Sequence, residues 1–375
     1  MSIFMPSRFA TRVATVAALA GFACAGAAAA QARPFIRQFH TITTIASAVP
    51  KGGPAKGDVN PYGVAVVPRS TGGLVRHDVL ISNFNNSQNQ QGTGSSIVEI
   101  SPSGHQHVFA VVPRPTSTPA VGLTTALAVL RSGFVIVGSL PAPGGDSTKS
   151  GAGALTILNA HGHMVGRIVA PDINGPWDMT AVDRGSHAVL FVTNVLNGTV
   201  AANGKVVHSG TVVRIGLRIR HGGAPEVTSN RVIAGGLAER TDPNALIIGP
   251  TGVDLGSNGT LYVADSVSNR IGAVPHALTR MSTLGGGGTT VGTGGPLNDP
   301  LGLLVGPNGN IVTANGGDGR LVETSAAGLR VANRTLVKNG GGDLFGIALA
   351  PGARGIYFVN DAGSGGAANS LQLLH

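Results

Sequence analysis

A recurrence constrains this chain more than any other feature. Residues 249–271 read GPTGVDLGSNGTLYVADSVSNRI: a short apolar stretch (253–255), a Ser-Asn-Gly turn, a second apolar stretch (261–264) closing on Asp265, a polar loop, and a third apolar run from Ile271. The same order appears in five other places, beginning near residues 60, 125, 175, 299 and 343. Self-similarity of this kind marks stacked units that bury their apolar faces against one another. The second strand closes on Asn83, Gly138, Asn194, Asp265, Asn315 and Asn360 in the six copies. An Asx side chain there can accept a hydrogen bond from the backbone two residues on, so this ring is first a structural device. With 58 Gly, 22 Pro and only 11% charged residues, no Gly-X-Y period and no long amphipathic helix after the first thirty or so residues, the chain is neither collagen-like nor disordered, and its class is all-β.

The first residues form a separate segment. Arg8 and Arg12 precede a mostly apolar run (13–30) that ends in Ala30-Gln31-Ala32. That is the layout of a cleavable signal peptide over residues 1–32. As a retained anchor the run is only marginally long enough to span a bilayer. Cys24, the sole cysteine, lies inside it, and Gly21-Phe22-Ala23 is a poor lead-in for lipoprotein acylation. A chain cleaved after Ala32 has no cysteine, which excludes disulfides, thiol catalysis and cysteine metal sites. A domain of this size without disulfides points to bacterial export, as a secreted or periplasmic protein. Cleavage removes two basic residues and no acidic one, taking the net charge from +9 to +7. Positive charge favours anionic surfaces. Its tightest cluster, Arg214, Arg218, Arg220 and His221, reads as the wet face of an outer strand. Aromatic residues are 4%, too few for base stacking, so no nucleic-acid partner is expected.

The stretch GVDLGSNGTLYVADSVSNRI resembles an NHL repeat, in which a strand, an Asn/Asp-Gly turn and a strand ending in Asp are followed by Asn-Arg-Ile. Asn269, Arg270 and Ile271 carry the match. The fifth copy shares Asn308-Gly309-Asn310, Asn315 and Gly319-Arg320-Leu321, and the other four keep the strands without the Asn-Arg pair. NHL proteins are β-propellers. The resemblance therefore implies one six-bladed propeller of four-stranded antiparallel blades over residues 33–375. The blades fall near 60–113, 120–170, 174–235, 248–285, 297–338 and 342–375. Fourth strands are expected at 106–112, 164–170, 230–235, 279–284 and 330–337. The sixth copy is one strand short, and residues 37–49 are predicted to complete it, closing the ring and leaving no open edge.

Candidate functional residues are those that break the repeat. The inner strand starts with Gly63, Ala126, Gly252, Gly302 or Gly346, but the third copy has Asp178 there, beside the only tryptophan, Trp177. A carboxylate beside an aromatic face at the channel mouth is suited to a cation or a sugar. The packing alternative is Trp177 wedged between blades. Asp58, Asp172, Asp299 and Asp343 lie where fourth strands lead into first strands, and together with Asp178 they could ring a hard cation such as Ca²⁺. The second-to-third loops are long in copies one, two, three and six (85–94, 140–153, 196–209, 362–369) and share a face with those junctions in NHL-like propellers. Such loops carry binding residues.

The expected function is a noncatalytic ligand- or protein-binding module working through the loop-bearing face. The candidate ligand residues are Trp177, Asp178, Asn194, Asp299 and Asp343. The partner would be a small molecule, a glycan or an envelope protein, and the propeller a monomer without a transmembrane segment after cleavage. The alternative is a Ca-dependent lactonase- or esterase-like hydrolase of the gluconolactonase and paraoxonase type, in which Asp178, Asn194, Asp299 and Asp343 supply part of a Ca²⁺ shell. Asn60 stands where that type would place a Glu. An adhesion or envelope scaffold is a third class. A Zn²⁺ lyase would need channel histidines, and His105, His107, His161 and His163 are expected on the surface. No G-x-S-x-G elbow is present.

Overall fold

Runs of five to eight residues rich in Val, Ile, Leu and Thr, bounded by Gly, Asn and Pro, pair as antiparallel strands. The computed structural model describes Met1 and residues 33–112, 122–220, 222–362 and 368–375. The predicted signal peptide and His221 fall outside the described residues. From Pro34 to His375 the chain forms six antiparallel sheets, one per repeat, arranged as a six-bladed β-propeller. The inner strands are Val59–Val66, Leu123–Val129, Pro176–Asp183, Pro250–Leu255, Pro300–Val305 and Leu344–Leu349. Each touches the next, and the last touches the first, around a central channel.

That ring explains the small residues at the strand entries. A Cβ at Gly252 would lie 2.3 Å from the Leu301 carbonyl oxygen, and one at Gly346 2.2 Å from that of Tyr62. The sixth blade closes as expected. Ile42–Ser47 pairs antiparallel with Ser370–Leu374, Ile42 opposite Leu374. Ahead of it, a 3₁₀ turn, Phe35–Gln38, is pinned to blade five. The Phe35 and Ile36 N–H groups donate to the two Glu323 carboxylate oxygens at 2.8 and 2.9 Å, and the side-chain amides of Asn308 and Asn310 donate to Oε1.

Three expectations are corrected. Leu123 pairs with Ser139 just as Pro61 pairs with Asn83 and Pro176 with Asn194, so Ser139, not Gly138, closes the second copy. Gly138 packs where a Cβ would lie 2.4 Å from Thr124 Oγ1. The fourth strand of blade four is Thr289–Thr293, not residues 279–284. Residues up to Leu284 are drawn to the neighbouring blade, where Leu284 N–H donates to Ile233 O and Gly235 N–H to Leu284 O. Blade three has a fifth strand. Glu226–Asp242 runs past its sheet and turns back as Leu246–Ile248, with Asp242 opposite Leu246. Leu246 takes a left-handed φ of 63°, which costs roughly 1–2 kcal/mol for a side-chain-bearing residue. Its complete burial contributes about 1.5–3 kcal/mol and offsets that.

Candidate functional site

The inner strands narrow at one level. Tyr62, Phe84, Trp177, Leu246, Leu301 and Phe345 belong to one buried cluster. Tyr62 lies 4.5 Å from Phe345 and 5.2 Å from Phe84, and Trp177 meets Phe84 edge-on at 5.7 Å. The inner strands of blades one, five and six pass this plug with their first residues above it and their later ones below. The channel is thus split into a mouth pocket of about 300 Å³ and a lower well of about 270 Å³.

The mouth pocket gathers residues distant in sequence. Asn60 and Asp299 come from the entries of blades one and five, and both adopt a left-handed backbone, with φ of 58° and 51°. Asp361 follows the closing Asn360 of blade six. Asn89 and Gln91 come from the long loop of blade one, and Asn244, Ile247 and Ile248 from the blade-three hairpin, which roofs the pocket. Asn89 is fixed by a 2.7 Å hydrogen bond to its Oδ1 from the Asn85 amide. The floor is Tyr62, Phe84, Leu301 and Phe345. Burial pushes the Asp299 carboxyl up to about 6. Arg240 on the hairpin lowers it, and Asp242, bound to Arg240 at 2.6 Å, raises it. Burial, then the neighbouring Asp343 charge, pushes Asp361 up to about 7 against the opposing Asn60 backbone N–H. Asp299 Oδ1 and Asn60 Oδ1 accept no hydrogen bond from the described residues.

The lower well has two carboxyls and the hydroxyls of Thr125 and Thr180 among apolar side chains. Asp178 accepts from its own neighbour, Met179 N–H, at 2.8 Å, and burial holds its carboxyl well above the ordinary range, with Asp254 adding to the shift. Asp254 is more fully tied, accepting from Thr180 Oγ1, Leu255 N–H and Val305 N–H at 3.1, 2.8 and 2.8 Å. Its pKa is raised by burial and lowered by those bonds.

Three solved propellers align with this chain over most of its length. A calcium-binding protein, regucalcin, from Agrobacterium tumefaciens is 14% identical, covering 85% of this chain and 91% of its own, with a TM-score of 0.54. A luciferin-regenerating enzyme is 12% identical over 89% and 94%, with a TM-score of 0.53. A gluconolactonase from Xanthomonas campestris is 13% identical over 88% of both chains, with a TM-score of 0.52. No family profile matches the sequence, and no curated protein does. At these identities the likeness establishes the six-bladed fold, and the chemistry has to be read from the residues in place.

The sequence candidates do not converge. Trp177 is 1% exposed and lines neither cavity, so it is the wedge rather than a ligand surface. Asp178 lies below the plug and Asp299 above it. Asn194 is buried with its amide turned to the Val192 carbonyl at 3.3 Å. Asp343 stands in the wall behind Asp361, its backbone carbonyl accepting Asp361 N–H at 2.8 Å. Of the other ring candidates, Asp58 holds Ser95 and Ser96 N–H, and Asp172 holds the Asn230 amide. Among the described residues no three His, Cys, Asp or Glu side chains are placed to hold one metal ion. The four predicted ligands therefore do not fit the Ca²⁺ shell that the resemblance implies. The closing Asx residues tie strands together. Asn83 donates to Ala48 O, and Asn315 to Pro296 O. Only Asn360 shows the expected bond from two residues on, Ala362 N–H at 2.8 Å. The Asn-Arg pair is structural too. Asn269 accepts Asp299 N–H at 2.6 Å, and Arg270 bridges to Asp265 at 2.9 Å.

The reading of the sequence missed Asp361, Tyr62 and the roofing hairpin. Two signals were present: an excess of about a dozen residues between blades three and four, ending in the apolar run Ala245-Leu246-Ile247-Ile248, and an Asp after Asn360 where other copies place Phe84, Leu140, Val195, Ser266 or Gly316.

Proposed function

We propose that the chain is a propeller hydrolase acting on a small ester or lactone held in the mouth pocket. The observation that carries this reading is the pair of carboxyls, Asp299 at about 6 and Asp361 at about 7, lining one pocket. Burial tunes both toward neutrality, where an acid and a base can coexist. Near pH 6.5 Asp299 is mostly ionised and Asp361 mostly protonated. Asp299 takes a proton from water as the water oxygen bonds to the acyl carbon. The acyl C–O bond breaks, and Asp361 gives its proton to the leaving oxygen. Asn60, Asn89, Gln91 and Asn244 orient the polar edge of the substrate, and the aromatic floor takes its apolar edge.

The hydrolase reading places this channel beside the enzymes among its fold neighbours. Of the predicted four only Asp299 lines this pocket, so Ca²⁺ support would have to come from Asp299 together with Asp361 and Asn60. Export to the bacterial envelope and a monomeric propeller belong to the same proposal.

The test is hydrolysis of a panel of lactones and aryl esters between pH 5 and 8.5, with and without chelator and added Ca²⁺. The expected rate is bell-shaped, rising as Asp299 deprotonates near 6 and falling as Asp361 deprotonates near 7. Asp299→Asn or Asp361→Asn should lower kcat/KM by about 10²–10⁴-fold. Ligand binding without turnover across the panel would reject this reading in favour of a binding module.

A further inference from the structure

The mouth pocket is chemically one-sided. Two carboxyls and four side-chain amides face it, while among the described residues no Lys, Arg or His lines it. Arg240, which acts on Asp299 from the hairpin, is already held by Asp242. Asn60 is only 5% exposed, borders the cavity, and leaves its Oδ1 without a donor among the described residues. Asp299 Oδ1 is in the same position. A buried acceptor without a donor is costly, and more so when charged. The pocket therefore combines two carboxyls and two unpartnered acceptor oxygens with no cationic side chain among the described residues that line it.

The rings of Tyr62, Phe84 and Phe345 line the same pocket. Aromatic faces attract a cation that sheds water over them. An anion would meet carboxyls with no counter-charge. An uncharged polyol would supply donors and leave the charge unanswered. A hydrated metal ion would gain nothing from the rings.

We propose that the mouth pocket binds a small organic ammonium ion, its N–H groups donating to Asp299, Asp361 and Asn60 and its hydrocarbon part resting on the Tyr62–Phe345 floor. The inference rests on this pocket being the ligand site and not on turnover there. Because burial holds Asp361 near 7, ammonium binding at neutral pH also releases a proton.

The test uses two probes of one carbon skeleton, neopentylamine, protonated at pH 7, and neopentyl alcohol. Isothermal titration into the full propeller is run in two buffers of different ionisation enthalpy. The amine should bind at least about 10-fold more tightly than the alcohol, as a desolvated cation–π contact and a charge pair require. It should release protons, lose about 10-fold or more of its affinity in Asp299→Asn and in Asp361→Asn, and bind normally to Asp178→Asn. Equal binding of the two probes, no binding of either, or amine binding that ignores both mouth variants would overturn the proposal. The two readings separate cleanly. Neutral esters cleaved by a pocket that ignores the amine would leave the hydrolase standing and remove the ammonium ligand. Amine binding with no turnover would do the reverse.

Discussion

The two ends of the channel are built from the same six strands and differ in what those strands bring to them. Below the plug the well is walled almost entirely by strand residues, such as Val64, Leu127, Val253 and Ile347. Its carboxyls are a repeat irregularity, Asp178, and a residue consumed by structure, Asp254. Above the plug, Asn89 and Gln91 of the blade-one loop, Asp361 of blade six and the blade-three hairpin line the pocket beside the strand entries. Irregular backbone can place amides and carboxyls at angles that a repeating strand cannot. The difference teaches that in a sixfold scaffold, chemistry collects where the symmetry is broken by insertions more readily than where one side chain departs from the pattern.

Several experiments press on this contrast. The largest expected effect is on rate: Asp361→Asn lowers kcat/KM by about 10²–10⁴-fold, whereas Asp178→Asn leaves it within about threefold. Equal losses at the two ends would merge them into one site. Next is the wall between them. Trp177→Ala empties a fully buried indole and should lower unfolding free energy by about 3–5 kcal/mol, read from urea denaturation. A value below about 1 kcal/mol would mean the plug is not what separates the cavities.

A smaller effect concerns the well alone. The folded-state pKa of Asp178 is raised, so its contribution favours the native state below the unfolded value of about 4 and is lost as pH climbs above it. Asp178→Asn should therefore melt higher than the parent at pH 7, and the two curves should converge toward pH 4. The smallest effect is at the stem of the roof. Glu239 accepts Asn197 N–H at 3.1 Å, tying the long loop of blade three to the hairpin, and burial pushes its carboxyl up to about 8. Its stabilisation is present below about 4.5 and fades as pH rises through 8. In Glu239→Gln the melting temperature should lose that slope while keeping the Asn197 bond. An unchanged slope would place the pH dependence elsewhere.

Much of the architecture was legible in the sequence. The repeat predicted six blades and the strand that closes them, because apolar alternation and turn residues report burial directly. Register was less legible. Gly138 and Ser139 are neighbours, and only the pairing with Leu123 decides which closes the strand. Residues 279–284 carry β-forming side chains and yet serve the adjacent blade, a tertiary preference that local propensity does not encode. The site was legible only in part. Asp299 was found because acidic residues at blade junctions are conspicuous. Asp361 and Asn60 were not selected, since an Asp that departs from the other copies after the closing Asn360 does not by itself tell a side chain that faces a cavity from one that caps a loop. Asp178 and Trp177 were conspicuous for a packing reason.

The closure of blade six also has a consequence for biosynthesis. Ile42 finds its partner in Leu374, far along the chain, and the backbone of Phe35 and Ile36 waits for Glu323. Residues 33–47 thus leave the ribosome early and stay without their partner strand until residues 370–374 are made. Contacts so distant along the chain form slowly, and an unpaired strand in the interval invites wrong partners. A nascent propeller of this design needs something to shield its first strand until its last one is made.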